Sequence, residues 1–184
     1  MSLKFTKDSI VEDVLQMGFS HAGLADVKTL EPLQEVRDMC AEDKCHQYNK
    51  NWSCPPGCGT LEECRERMHS YDWGILVQRT MEMGDDFDPD TWRTDGEAHR
   101  ERLVQLFEEL KARYPRVLGL GSAGCRLCAA CTYPDAPCRF PERRMSGMEG
   151  YGLLVSDVCK KNDLPYYYGK DTVTFTGLFL VKEA

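Results

Sequence analysis

The chain has no long apolar run, no excess of positive charge and few histidines. Each absence closes off a class of function. A membrane helix needs about 20 consecutive apolar residues, and no stretch approaches that, so no membrane partner is expected. Acids outnumber bases, 30 to 23, for a formal net charge of −7. Phosphate backbones are bound through a basic footprint, so no nucleic acid is expected either. A basic face on a partner protein suits this balance better. The first residues, 1–8, carry no apolar core of a secretory signal, and a cytoplasmic location is the expectation. The histidines, His21, His46, His69 and His99, are scattered. No Ser/His/Asp pattern or phosphate-binding loop occurs. Gly119, Gly121 and Gly124 echo a dinucleotide fingerprint only in part, because cysteines occupy the would-be helix start. The acidic stretch 84–90 misplaces the glycine and final glutamate of a calcium loop and reads as a solvated connection.

What the chain does have is cysteine, ten residues in 184. In a reducing cytosol thiols stay free, which favours metal binding over disulfides. Nine of the ten fall in two groups, and Cys159 stands apart. The second group is Cys125-x2-Cys128-x2-Cys131-x6-Cys138. A short loop with Cys-x2-Cys-x2-Cys can wrap one four-iron cubane and offer thiolates to three of its irons. Zinc usually takes its ligands from two separate pairs, so zinc is the alternative here. Gly119, Gly121 and Gly124 let backbone N–H groups turn toward the site. Pro134, Pro137 and Pro141 stiffen the return.

The first group is Cys40-x4-Cys45-x8-Cys54-x3-Cys58-x5-Cys64. Five thiols are one more than a site needs. Cys45, Cys54 and Cys58 fall in loops and read as ligands, with Cys54-Pro55-Pro56-Gly57 forming a rigid turn. Cys40 is the fourth choice. Cys64 is the alternative to Cys40, since its place on an apolar helix face also suits a core cysteine. Cys138 raises a question of its own. In two-cluster ferredoxins the cysteine following such a loop ligates the other cluster, so Cys138 serves either the local site or the neighbouring one. His46, Trp52, Tyr48 and Tyr133 lie beside the cysteines and read as surface or packing residues.

Around these loops the pattern predicts one domain over residues 1–184, with cysteine regions at 40–64 and 125–138. Apolar spacing predicts helices over 8–17 (ending at Gly18), 30–40 (capped by Thr29), from Thr60 with a Thr60/Glu63 capping box, from Thr94 toward Pro115, and over 149–162. Strands are expected at 19–25, 71–78, 117–120 and 178–181, the last one central. A hairpin of 166–168 with 172–175 about residues 169–171 closes the chain. The fold class is α/β, with α+β as the alternative, built on a mixed sheet flanked by helices.

Two segments carry a resemblance. One runs Cys45-x2-Tyr48-x3-Trp52-Ser53-Cys54-Pro55-Pro56 and continues to Leu61-Glu62-Glu63-Cys64. The other runs Gly124-Cys125-x2-Cys128-x2-Cys131-Thr132-Tyr133-Pro134-x3-Cys138-Arg139-x-Pro141 and continues to Met148-Glu149-x-Tyr151-Gly152. Together they resemble the predicted metal-binding proteins of domain of unknown function 2284, over nearly the whole chain. The chain departs from that pattern near Ser146, which is separated from Met148-Glu149 by Gly147. The resemblance implies metal binding, iron–sulfur in character, in anaerobes, and associates such proteins with corrinoid methyl transfer. It supplies no reaction.

Three functions follow in order. The first is an electron-transfer protein holding one or two [4Fe-4S] clusters and meeting a redox partner protein. The second is a cluster-dependent reductase or activator of a cofactor such as a corrinoid. The third is a non-redox zinc protein.

Overall fold

The computed structural model describes residues 3–83 and 89–183. Five strands form one mixed sheet in the order β1-β2-β5-β3-β4. They are β1 (His21–Ala25), β2 (Trp73–Glu82), β3 (Arg116–Gly121), β4 (Ser146–Gly147) and β5 (Thr172–Lys182). All pairs are antiparallel except the short β3–β4 pair. The helices are α1 (Ile10–Gln16), α2 (Gln34–Ala41), α3 (Leu61–His69), α4 (Pro89–Lys111) and α5 (Val155–Lys161). The fold is therefore α+β.

Alternation along the central strands builds two cores, because successive strand side chains point to opposite faces. Trp73, Ile75, Val77, Phe179 and Val181 pack with Ile10 and Val14 of α1 and with Leu103, Leu106 and Leu110 of α4. Leu76, Leu178 and Leu180 face the other way, toward Cys64 and Met68 of α3 and Val158 and Cys159 of α5. Helices thus cover both faces of the sheet. No helix among the described residues is long and apolar enough to cross a membrane.

Four expectations from the sequence need correction. The closing hairpin does not form. Residues 172–182 are one strand, and its first half pairs with β2, Thr172 opposite Glu82 and Thr176 opposite Gln78. Tyr168 instead stacks on His21 at 3.9 Å and donates its hydroxyl to Gln78 Oε1 at 2.6 Å. The helix over 149–162 is broken. A 3-10 turn at Glu149–Tyr151 ends at Gly152, whose φ of 77° is left-handed, and α5 starts afresh three residues later. That φ favours glycine, and a Cβ there would also crowd the Leu33 backbone nitrogen at 3.2 Å. Thr29 does not cap α2. It closes a 3-10 turn, Val27–Thr29, capped by Asp26, and α2 begins at Gln34. Thr94 lies inside α4 rather than at its start. The stretch 84–88 of the acidic connection lies outside the described residues, and Pro89 and Asp90 already belong to α4.

The other boundaries follow the pattern closely. Thr60 Oγ1 accepts the Glu63 amide at 3.2 Å, and the Glu63 carboxylate accepts the Thr60 amide at 2.7 Å, the reciprocal pair of a capping box. Gly18, at φ 93°, follows the end of α1. β5 lies between β2 and β3, in the middle of the sheet.

Candidate metal centre

The two cysteine groups leave the body of the fold on different elements and meet at one end of it. Cys40 stands in the last turn of α2, and Cys64 stands in α3. Cys45, Cys54 and Cys58 come from the connection between these helices. That connection folds on itself. Asp43 Oδ1 accepts the Tyr48 amide at 2.8 Å, and the Asn49 amide donates to the Pro55 carbonyl at 2.8 Å. The second group leaves the end of β3 at Gly121 and returns to the sheet at β4.

Hydrogen bonds join one group to the other. The Cys125 amide donates to Ser53 Oγ at 2.8 Å, and Ser53 Oγ in turn donates to Asn51 Oδ1 at 2.7 Å. Trp52 Nε1 donates to the Ala136 carbonyl at 3.0 Å, and the Tyr133 hydroxyl donates to Asn49 Oδ1 at 2.8 Å. The rings of Trp52 and Tyr133 meet edge to face at 4.9 Å. Trp52 and Tyr133 therefore hold the two loops together. Ser53 falls within the segment that carries the family resemblance, whereas Asn51, three positions before Cys54, has no signal of its own in the sequence.

The result is a thiol-lined cavity of about 860 Å³. Cys40, Cys45 and Cys54 border it from the first group, and Cys125, Cys128 and Cys131 from the second. A smaller recess of about 30 Å³ is bordered by Cys125, Cys128, Cys131 and Cys138. Cys138 does not border the larger space, and Cys40, Cys45 and Cys54 do not border the smaller. All ten cysteines are free thiols.

Cys58 and Cys64 lie apart from both spaces and are buried. Cys58 Sγ donates to the Gly150 carbonyl at 3.2 Å. Arg37 Nη2 donates to Cys64 Sγ at 3.4 Å and to the Gly59 carbonyl at 2.9 Å. Within this pair Cys64 is the more acidic, because the neighbouring Cys58 side chain and the facing Arg37 and Arg67 guanidiniums outweigh its burial. Cys58 is correspondingly pushed up. Cys159 is a core residue beside Gln78, and burial pushes its thiol up to about 11.

Burial pushes the thiols of Cys40, Cys54 and Cys125 up as well. At Cys40 the carboxylate of Glu149 adds to this, and at Cys125 the Arg100 guanidinium works against it. A metal must therefore displace protons that these thiols hold at neutral pH. Glu149 lines the same cavity, closely surrounded by protein though open to solvent, and desolvation raises its carboxyl too. Among the described residues no three His, Cys, Asp or Glu side chains are drawn together closely enough to grip a single ion.

An α+β body that presents two cysteine loops around one thiol-lined space defines a cysteine-rich protein. A family model described as predicted metal-binding protein (DUF2284) matches residues 24–181, which include both cysteine groups. The chain belongs to this family. Searches of curated proteins and of solved structures gave no match.

Proposed function

We propose that this chain is an iron–sulfur protein that holds four-iron clusters at its two cysteine groups and exchanges electrons with a redox partner protein. One observation carries the reading. Thiols from two distant sequence groups border one roomy space, yet no three of them converge tightly. A zinc ion holds its sulfurs at about 2.3 Å, which draws the four to within about 4 Å of one another. A cluster interposes irons and sulfides, so it takes a wider set of thiols. Three thiols stand on each wall, and soft sulfur donors suit iron–sulfur centres.

Cys125, Cys128, Cys131 and Cys138 hold the first cluster in this reading. Cys40, Cys45 and Cys54 hold the second. Cys58 follows on the same turn, its amide on the Cys54 carbonyl at 3.0 Å, as the candidate fourth thiol. When bound, such centres supply one-electron transfer. The protein supplies thiols, the loop amides near them and a shared wall that sets both sites side by side.

A second reading has an observation of its own. The Cys58 sulfur is turned to the Gly150 carbonyl, which leaves three thiols on the first wall. Three ligands suit an iron with an open position, and thus a reductase or activator acting on a bound cofactor such as a corrinoid. Anaerobic purification followed by iron, acid-labile sulfide and zinc analysis, with EPR of the reduced protein, tests both. About eight irons and eight sulfides per chain are expected for two clusters of four irons. Stoichiometric zinc without sulfide overturns the iron–sulfur reading in favour of a zinc protein. A signal that shifts on adding a small ligand such as cyanide favours the open iron over a pure carrier.

A further inference from the structure

A different cavity, of about 320 Å³, lies between α4 and the segment that follows β3. It shares residues 122–126 as a common wall with the thiol-lined space. Its floor is apolar and comes largely from α4 and β5: Leu103, Val104, Phe107 and Phe175. Its rim carries Arg93, Arg100, Arg126 and Arg143 against Glu97 and Glu108.

The arginines are not equivalent. Arg143 Nε lies 3.5 Å from Glu108 Oε1, so these two charges offset each other. Arg100 and Arg126 form no hydrogen bond or ion pair among the described residues. Arg100 is half-buried. A half-buried guanidinium without a partner forgoes strong hydrogen bonds that its planar fork makes best with an oxyanion. Small-molecule sites combine an apolar lining with a few polar groups, in volumes from about 300 to 1,000 Å³. This cavity falls at the small end of that range.

We infer that this cavity binds a small organic anion with an apolar body, its carboxylate or phosphate on Arg100 and Arg126 and its body against Leu103, Val104 and Phe107. Carboxylate and phosphate share the chemistry that an arginine pair recognises, and the floor excludes a bare inorganic ion as the best-fitting occupant. The ligand would lie across one short segment from Cys125. Its binding does not depend on which metal, if any, Cys125 holds.

Titration calorimetry on the protein as purified tests this with four probes of one chain length: octanoate, octyl phosphate, octanol and octylammonium. At least one anion is expected to bind once per chain, with a Kd at least fivefold below that of octanol and of octylammonium. Tighter octanoate assigns a carboxylate ligand, and tighter octyl phosphate assigns a phosphate. The double variant Arg100→Gln/Arg126→Gln should raise the anion's Kd at least fivefold. Val104→Phe, which narrows the floor and keeps every charge, should do the same. Arg65→Gln, on α3 beyond the sheet, should leave it unchanged. An anion preference below fivefold, or a Kd unmoved in both pocket variants, overturns the inference. Metal content is measured on each sample, so lost binding with metal retained is told apart from failure of the metal reading.

Discussion

Ser53 Oγ accepts the amide hydrogen of Cys125 at 2.8 Å, a bond between residues 72 positions apart. Ser53 is fully buried, and its hydroxyl donates to Asn51 Oδ1. The bond pins the first thiol of the second group against the turn that carries Cys54. A Cβ at Gly124 would lie 3.1 Å from Cys54 Sγ, so a side chain there would crowd that sulfur. Ser53→Ala leaves the Cys125 amide without its acceptor, and an unsatisfied buried donor costs about 1–3 kcal/mol. The variant is expected to unfold at lower urea and to retain less metal after gel filtration. An unchanged midpoint with full metal content would show that the loops dock without this bond.

Gly57 is the second point at which the loops depend on one residue. A Cβ there would lie 2.5 Å from the Asn51 carbonyl oxygen and 3.0 Å from the Tyr133 ring. The first contact is with backbone, which cannot rotate aside. Gly57→Ala must open the turn from Asn51 to Cys58 or push Tyr133 off its packing on Trp52. Overpacking of this kind destabilises by about 1–3 kcal/mol. Thermal unfolding of the variant should fall accordingly, and a fluorescence shift of Trp52 should accompany it. Wild-type unfolding with an unshifted spectrum would refute the close approach.

His99 gives the fold a pH dependence that has nothing to do with the cysteines. Its ring is fully buried between Phe19 and Phe175, and neither ring nitrogen has a hydrogen-bond partner among the described residues. Burial first, then Arg79 and Arg102, lower its pKa from 6.5 to about 4. The unfolded chain therefore takes up this proton more readily than the folded one. Stability is full above pH 6.5 and falls as the pH drops from there toward about 4. A shift of this size corresponds to about 3 kcal/mol. His99→Phe removes the proton site and keeps the ring contacts, so its urea midpoint should vary less over that window. A wild-type slope in the variant would assign the dependence to other groups.

The sequence made the sheet and the chemistry legible to different degrees, for physical reasons. Long periodic runs such as Leu103 to Leu110, and reciprocal caps such as Thr60 with Glu63, are local signals, and their elements form where expected. The break at Gly152 rests on its left-handed φ of 77°, and a single glycine inside an otherwise helical run is only a weak local sign of it. The turn at Gly169 does form, with the Thr172 amide on the Gly169 carbonyl at 3.3 Å, but Thr172–Thr176 pair with β2 rather than with 166–168. Cysteine spacing marked both loops as candidates for metal. It could not show that Cys40, Cys45 and Cys54 would face Cys125, Cys128 and Cys131 across one space. Nor could it show that Cys58 and Cys64 would turn to Arg37, because that depends on how α2 and α3 pack.

The placement of Cys138 makes the cluster assignment separable by mutation. It borders the recess of Cys125, Cys128 and Cys131 and not the larger space, while Cys40 borders the larger space and not the recess. If each set holds its own cluster, Cys138→Ser and Cys40→Ser act on different centres. Each is expected to lower the iron count from about eight to about four on anaerobic purification. Each should remove a different component of the reduced EPR spectrum, and the double variant should lose both. Exchange of the final ligand between clusters, as in two-cluster ferredoxins, predicts a different result. There Cys138→Ser and Cys40→Ser would disturb the same signal and leave the other whole. The recess favours the first outcome, because Cys138 borders it together with Cys125, Cys128 and Cys131. If each set holds its own cluster, Cys125→Ser should disturb the same signal as Cys138→Ser and leave the Cys40 signal whole, whereas exchange of the final ligand would split Cys125→Ser and Cys138→Ser between the two signals.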